Sequence, residues 1–97
     1  MIVNKYSNVF KVIVQSPNQK IHYRKCNLVK GLGQTGWLTI LPQHENFMTL
    51  LKRSSIHIKQ FSNIHVIHLV RNSIMQYMHE QNICKITTPY FFIKMLT

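Results

Sequence analysis

The feature that most constrains the fold is the shortness of the apolar segments, which turn-forming residues interrupt throughout the chain. The first segment, from Val9 to Gln15, is rich in β-branched and aromatic residues and stops at Ser16-Pro17-Asn18. Turn signals then recur about every 8–12 residues, a spacing typical of all-β sandwiches and barrels. No longer window carries a helical apolar stripe with caps at its ends. The sequence therefore predicts an all-β protein.

The other apolar segments are equally short, and we predict a small sandwich or barrel of about 8–10 strands. They are Lys20–Tyr23, Cys26–Lys30, Trp37–Leu41, Phe47–Leu51, Ile56–Gln60, Ile64–Val70, Ser73–His79 and Ile83–Thr87. The segment Phe47–Leu51 fits either a strand or one helical turn. The stretch Asn72–Gln81 also fits a helix, but its neighbours flank it at hairpin spacing, so we predict a strand there.

The length of 97 residues predicts a single domain. No apolar run approaches the ~20 residues that a membrane span requires. The first residues lack the unbroken apolar region and cleavage site of a signal peptide, so we expect the chain to stay in the compartment where it is made. Cys26 and Cys84 form no CxxC motif, and we expect both thiols to be reduced.

The charge balance excludes several classes of enzyme. The chain has 12 Lys and Arg residues but only 2 acids, Glu45 and Glu80, which gives a formal charge of +10. Paired-carboxylate hydrolases and acidic cages for Ca²⁺ or Mg²⁺ are therefore excluded, and a catalytic triad would need Glu in place of Asp. Neither cysteine lies in a nucleophile motif, and no serine occupies a GxSxG elbow. We expect no catalytic residues.

Two further motifs are weak. Gly31, Gly33 and Gly36 have the spacing of a dinucleotide-binding loop, but a predicted strand follows them and no acid lies about 20 residues on. A turn is the better interpretation. The spacing of His65 and His68 is compatible with two zinc ligands, but on a strand the two side chains point to opposite faces. We expect no metal and no cofactor, and a small metal-binding protein is the weakest alternative.

Basic and aromatic residues keep a second function class open. Small β-barrels that bind single-stranded nucleic acid combine lysines with exposed aromatic rings. Here the cations are scattered in ones and twos, as in Arg24-Lys25 and Lys52-Arg53, and most aromatics lie within apolar runs. Charge alone does not separate RNA, anionic lipid and an acidic protein as the partner. A small basic β-barrel that binds single-stranded nucleic acid therefore stays the alternative function.

The order of features from Val9 to about Thr88 resembles the N-terminal β-sandwich domain of the F-type ATP synthase epsilon subunit. A first strand runs into a proline turn as FKVIVQSPNQ, and CNLVKGLGQTG matches a glycine-bounded hairpin. The most specific part is Thr39–Leu51, TILPQHENFMTLL, which is similar to the family's G-I-L-P-G-H-A-P-L loop and its following strand. The loop is most similar to epsilon chains of alternate, sodium-type bacterial F-ATPases. The chain departs from the pattern at Ser54-Ser55 and Arg71-Asn72-Ser73, where the family has glycine.

The resemblance implies a flattened sandwich over residues 9–88, an extension at 1–8 and a short C-terminal tail at 89–97. It implies a non-catalytic central-stalk subunit that couples proton or sodium translocation to ATP synthesis or hydrolysis. Such a subunit is a peripheral membrane protein, expected on the cytoplasmic face of a bacterial inner membrane, with no nucleic acid as partner. The family's C-terminal helical hairpin has no counterpart before Thr97, so we expect no inhibition by extended helices.

The resemblance also implies which residues meet the two partners, the gamma subunit and the membrane rotor ring. The expected ring contacts are Gln34, Thr35, Gln43, His44 and Glu45. The residues expected to define these loops are Gly33, Gly36 and Pro42. The expected gamma contacts are Asn72, Ile74 and Tyr77, from the weakly patterned stretch of the chain.

Overall fold

The computed structural model describes residues 8–94, which form β-strands joined by short turns. The strands are β1 (Phe10–Gln15), β2 (Lys20–Cys26), β3 (Leu28–Gly33), β4 (Gly36–Ile40), β5 (Phe47–Leu51), β6 (Ser54–Gln60), β7 (Asn63–Leu69), β8 (Ser73–Met78), β9 (Ile83–Thr87) and β10 (Phe91–Lys94). The all-β prediction is confirmed, and the ambiguous segments at β5 and β8 are both strands. Within this part of the chain, no helix is long and apolar enough to cross a bilayer.

The strands form one sheet that curls into two facing layers. Its order is β10-β7-β6-β3-β5-β8-β9-β1-β2, and β4 pairs with the other side of β3. The fold passes from one layer to the other between β3 and β5, where Gly33 pairs with Leu51. Neighbouring strands are antiparallel except β1 and β9, which are parallel. The predicted sandwich is therefore confirmed.

The core lies between the two layers and follows the alternation of the strands. On β1, Val12 and Val14 are fully buried, and on β6 Ile56 and Ile58 are as well. Full burial of an aliphatic side chain of this size contributes about 1.5–3 kcal/mol. Tyr77 of β8 extends the core with its ring in edge-to-face contact with Phe10, at 5.8 Å between ring centroids. The period-two pattern of the sequence thus specifies which face of each strand is inside.

Part of the expected C-terminal tail is a strand. Phe91–Lys94 form β10, which pairs antiparallel with β7, and the side chain of Phe91 is 1% exposed. The sequence FFIK is too short to show a period, and its partner is distant in the chain, so the local pattern gave no strand there. Residues 95–97 of that tail and residues 1–7 of the expected N-terminal extension lie outside the described residues.

Candidate functional site

The glycine-bounded hairpin joins β3 to β4 and presents Gln34 and Thr35 to solvent. Gly33 pairs with Gly36, so the two polar residues form the tip. Gly36 has a φ of +133°, a conformation that side-chain-bearing residues rarely adopt. A Cβ on Gly33 would lie 2.9 Å from a methyl carbon of Leu38. The glycines therefore define a turn, and the prediction of a turn rather than a dinucleotide loop is confirmed.

The loop between β4 and β5 holds the signature histidine. The strand β4 ends at Ile40, and Pro42 follows two residues later in the loop. The next residue, Gln43, has a positive φ of 66°. The Nδ1 of His44 donates a hydrogen bond to the backbone carbonyl of Glu45 at 2.8 Å, which fixes the ring within its own loop. The same ring lies edge-on to Phe47 at 5.5 Å between centroids. His44 is thus a positioned, half-buried residue, whereas Gln43 and Glu45 are exposed.

This loop is bound to the turn between β8 and β9. The Nδ1 of His79 donates to the carbonyl of His44 at 2.7 Å. The backbone N–H of His79 donates to Oδ1 of Asn46 at 2.8 Å. Because the bonds connect residues more than 30 positions apart, at separations of 35 and 33, they join two loops that the chain itself does not connect.

The turn between β8 and β9 is bound in turn to the core. The hydroxyl of Tyr77 donates to Oδ1 of Asn82. The side-chain amide of Asn82 donates to the carbonyl of Val9 at 2.8 Å, which also ties down the start of β1. Burial of the phenol raises the pKa of Tyr77 above its ordinary value, so the hydroxyl is a donor throughout the neutral range.

The structure does not bring all the expected ring contacts together. Gln34 and Thr35 precede β4 and the 43–45 loop follows it, so they lie at opposite ends of this 5-residue strand. At about 3.4 Å per residue the separation is roughly 17 Å. We call the 41–46 loop with the 79–82 turn the acidic end, because it holds Glu45 and Glu80. We call the opposite end, formed by the turns at 16–19, 34–35, 52–53, 70–72 and 88–90, the basic end.

The expected gamma contacts fall into two environments. Asn72 is exposed at the basic end, where its Oδ1 accepts a hydrogen bond from the backbone N–H of Arg53 at 3.2 Å. Ile74 follows on β8 with 42% of its surface exposed. Tyr77 is 1% exposed, so its side chain belongs to the core and offers no surface to a partner. Only Asn72 and Ile74 are accessible for the role.

The described residues contain little that would support catalysis. Among residues 8–94 no three His, Cys, Asp or Glu side chains are grouped as a metal site. His65 bonds to Gln60, and His68 lies across from Ser55 on the other face of β7, as the strand prediction required. Burial raises the pKa of the Cys26 thiol to about 11 and that of Cys84 to about 12. Neither thiol is a ready nucleophile at neutral pH.

Sequence reasoning missed the residues that fix the loops. Asn46, His79 and Asn82 link the acidic end together, and Asn72 links two turns at the basic end. In the sequence they are ordinary turn residues. Their partners lie far along the chain, so no local spacing identifies them.

Comparison with solved structures supports this description of the fold. A chain of the Euglena gracilis mitochondrial ATP synthase, in a structure of OSCP, F1 and c-ring, matches with a TM-score of 0.79 and 9% identity. A chain of the Tetrahymena thermophila mitochondrial ATP synthase, in a structure of the central stalk and c-ring, matches with a TM-score of 0.73 and 12% identity. The matches cover 89% and 86% of the present chain.

The present chain spans 54% and 65% of the lengths of those two chains, so it corresponds to only part of each. No curated protein matches it. The family model for the ATP synthase delta/epsilon chain β-sandwich domain matches residues 9–89, which is most of the sequence and contains both loops described above. The chain therefore belongs to the family of ATP synthase delta/epsilon chains, through their β-sandwich domain.

Proposed function

We propose that the chain is a rotor component of the central stalk of an F-type ATP synthase, without an active site of its own. The observation that carries this proposal is the family match over residues 9–89. The two similar structures, which contain a central stalk or a c-ring, support it. In this role the subunit would couple the movement of protons or sodium ions through the membrane ring to ATP synthesis or hydrolysis.

The mechanical properties of the fold suit a subunit that transmits torque. The two layers are parts of one hydrogen-bonded sheet, so a force applied to one layer reaches the other through β3 and β5. At the acidic end, the bonds of His79 and Asn82 connect surface loops to each other and to β1. A packed interior of this kind resists deformation and passes strain on.

We place the rotor-ring contact along β4. Within residues 8–94, β4 pairs only with β3, which leaves its other edge open. The strand runs between Gln34-Thr35 and Gln43-His44-Glu45, so a ring lying along this edge would touch both groups although they are not adjacent. His44 would act mainly by holding the loop in place, and Gln43 and Glu45 would make the direct contacts.

We place the gamma contact on the layer that contains β8, with Asn72 and Ile74 as its accessible members. Ile74 is paired across the strands with Leu50, which is 50% exposed, and together they give this layer an apolar outer surface. Contact with both gamma and the ring would hold the subunit at the membrane surface. In a bacterium this is the cytoplasmic face of the inner membrane.

Affinity purification of the tagged chain from its host tests the role. We expect the alpha, beta and gamma subunits and the ring to be recovered with it. Recovery of RNA without these subunits would contradict the proposal and favour the nucleic-acid alternative.

Site-specific cross-linking tests the β4 contact. Both native cysteines are buried, so a single introduced cysteine is the only accessible thiol among the described residues. Thr35→Cys and Glu45→Cys in the assembled complex should each cross-link to the ring. Lys94→Cys on β10, at the far edge of the same layer, is the matched control and should not. If the control cross-links to the ring as efficiently as the other two, the ring does not lie along β4.

A further inference from the structure

The two acidic side chains of the chain lie at one end of the strands, whereas cations lie at both ends. Glu45 and Glu80 are the only acidic side chains of the sequence, and both lie at the acidic end. Lys52, Arg53 and Arg71 are exposed on two turns of the basic end. Strands β5 and β8, of 5 and 6 residues, separate these groups, which corresponds to about 17–20 Å. The basic end therefore carries cations without a neighbouring carboxylate side chain.

The cations lie along the end of one layer, three of them beside β5 and β8 and the fourth at β2. The strand order β5-β8-β9-β1-β2 places the Lys52-Arg53 turn beside the Arg71 turn, and Lys20 begins the last strand of the series. The bond from the Arg53 N–H to Asn72 joins the first two turns directly. With strands about 4.8 Å apart, roughly 19 Å separates β5 from β2, and the turns at 88–90 and 16–19 between them carry no cation.

Apolar surface accompanies these cations. A shallow hollow of about 430 Å³ opens between the arginine turns and the β1–β2 turn. Pro17, Thr87, Thr88 and Pro89 line its β9–β1 side. The β8 side is lined by Ser73 with Asn72 and Ile74, the residues placed at the gamma contact, so lipid would meet the hollow from the β9–β1 side. Tyr90 is 54% exposed on the 88–90 turn, and Trp37 is 56% exposed next to the hairpin tip. Tyrosine and tryptophan are the side chains that favour the interface between a bilayer and water.

We propose that the basic end docks directly on an anionic lipid surface. Exposed Lys and Arg side chains attract the headgroup phosphates of anionic lipids, and neighbouring apolar and aromatic groups add contact with the interfacial region. This goes beyond a stalk role, which requires contact with protein subunits only. The hairpin tip at Gln34 and Thr35 is the corner that the basic end shares with the β4 edge.

A membrane fits this end better than a single-stranded nucleic acid does. Nucleic-acid platforms of this kind present successive rings on which bases stack. Trp37 lies beside β3 and Tyr90 beside the β7–β10 pair, so other strands separate the two rings. The ammonium of Lys30 already lies over the Trp37 ring, 5.4 Å from its centroid. The basic end therefore has two aromatic rings that lie apart from each other, rather than a series of rings on which successive bases could stack.

Vesicle sedimentation with the full chain tests the proposal. The chain should bind vesicles containing phosphatidylglycerol and leave pure phosphatidylcholine vesicles unbound. Arg53→Gln combined with Arg71→Gln should weaken binding by about 25-fold, since each cation near the surface contributes about 5-fold. Arg24→Gln combined with Lys59→Gln removes the same charge from exposed sites away from the basic end and is the matched control. Equal losses in both double variants would show attraction by net charge alone and overturn the proposal.

Trp37 provides an independent readout, because it is the only tryptophan and lies on β4 next to the 34–35 turn of the basic end. Its emission should shift to shorter wavelength on binding phosphatidylglycerol vesicles, and an unchanged spectrum would contradict this orientation. Tighter binding to a single-stranded oligonucleotide, lost in the Arg53/Arg71 variant, would assign the end to nucleic acid and overturn the proposal. A third outcome is that the parent chain does not bind lipid and the Arg53/Arg71 variant no longer assembles with the stalk subunits. That outcome would assign the basic end to a protein partner and overturn the proposal too.

Discussion

The two ends of the sandwich are built differently. At the acidic end, side chains of Asn46, His79 and Asn82 bond to backbone groups of other loops and connect them to the core. At the basic end, backbone bonds such as Lys52 N–H to Leu32 carbonyl join the turns, and Asn72 adds a side-chain bond. The charged side chains at that end project into solvent.

This difference distinguishes side chains that stabilise the fold from side chains that are available to bind a partner. Where side chains are used to tie loops together, as His79 is, they are committed to the fold and their removal should lower stability. Where backbone bonds do that work, side chains such as Arg53 and Arg71 are free to meet a partner. We therefore expect substitutions to affect stability mainly at the acidic end and binding mainly at the basic end.

The largest expected effect on stability is that of Tyr77→Ala, on β8 next to the acidic end. The change removes a ring that is 1% exposed and its bond to Asn82, and should lower the free energy of unfolding by about 3–5 kcal/mol. Ile74→Ala on the same strand is the control and should cost under about 1 kcal/mol, because that side chain is 42% exposed. Urea denaturation measures both. Similar losses would mean that Tyr77 is not part of a packed core.

The next largest effect is expected at Gly36, beside the hairpin tip of the basic end, where the backbone has a positive φ. Gly36 has a φ of +133°, so Gly36→Ala should cost about 1–3 kcal/mol. Thr35→Ala at the exposed tip of the same hairpin should stay within about 0.5 kcal/mol of the parent. Thermal or urea unfolding compares the pair. If Gly36→Ala is as stable as Thr35→Ala, the hairpin does not require glycine there.

The strands and the hairpin could be predicted from the sequence because their signals are local. The run at Val9–Gln15 and the glycines around Gln34-Thr35 each contain the information for their own conformation. The strand at Phe91–Lys94 was missed because a short edge strand is defined by its pairing with β7, which no local pattern records. The family resemblance named candidate contact residues on two loops but gave no distance between those loops.

The separation of the expected ring contacts could not be predicted from the sequence for the same reason. Gln34-Thr35 and Gln43–Glu45 are close in sequence, and only the extended conformation of β4 shows that they lie apart. The burial of Tyr77 followed from the period of β8, whose inward positions are Ser73, Met75 and Tyr77. The prediction of a strand at β8 is confirmed. Tyr77 was proposed as a gamma contact from its position along the chain, without regard to which face of β8 its side chain occupies.

A smaller effect is expected from His79→Ala at the acidic end. The variant loses the ring bond to the His44 carbonyl but keeps its backbone bond to Asn46, so the cost should be about 0.5–1.5 kcal/mol. Amide hydrogen exchange in the 43–46 loop should become faster. Gln81→Ala, an exposed residue of the same turn, is the control and should change neither quantity. Unchanged exchange in His79→Ala would show that the ring bond does not hold the loop.

The smallest effect on stability is expected from Asn72, the residue that links two turns of the basic end. Asn72→Ala removes the acceptor for the Arg53 N–H, but both groups are exposed and water can replace the bond, so the cost should be about 0.5 kcal/mol or less. Asn72→Asp keeps an acceptor at that position and should retain stability, while it places a carboxylate beside Arg53 and Arg71. If the ends differ as described, Asn72→Asp weakens vesicle binding without lowering the urea midpoint, and Asn72→Ala leaves vesicle binding unchanged. A loss of stability in Asn72→Ala as large as that in His79→Ala would show that the basic end, too, depends on its side-chain bonds.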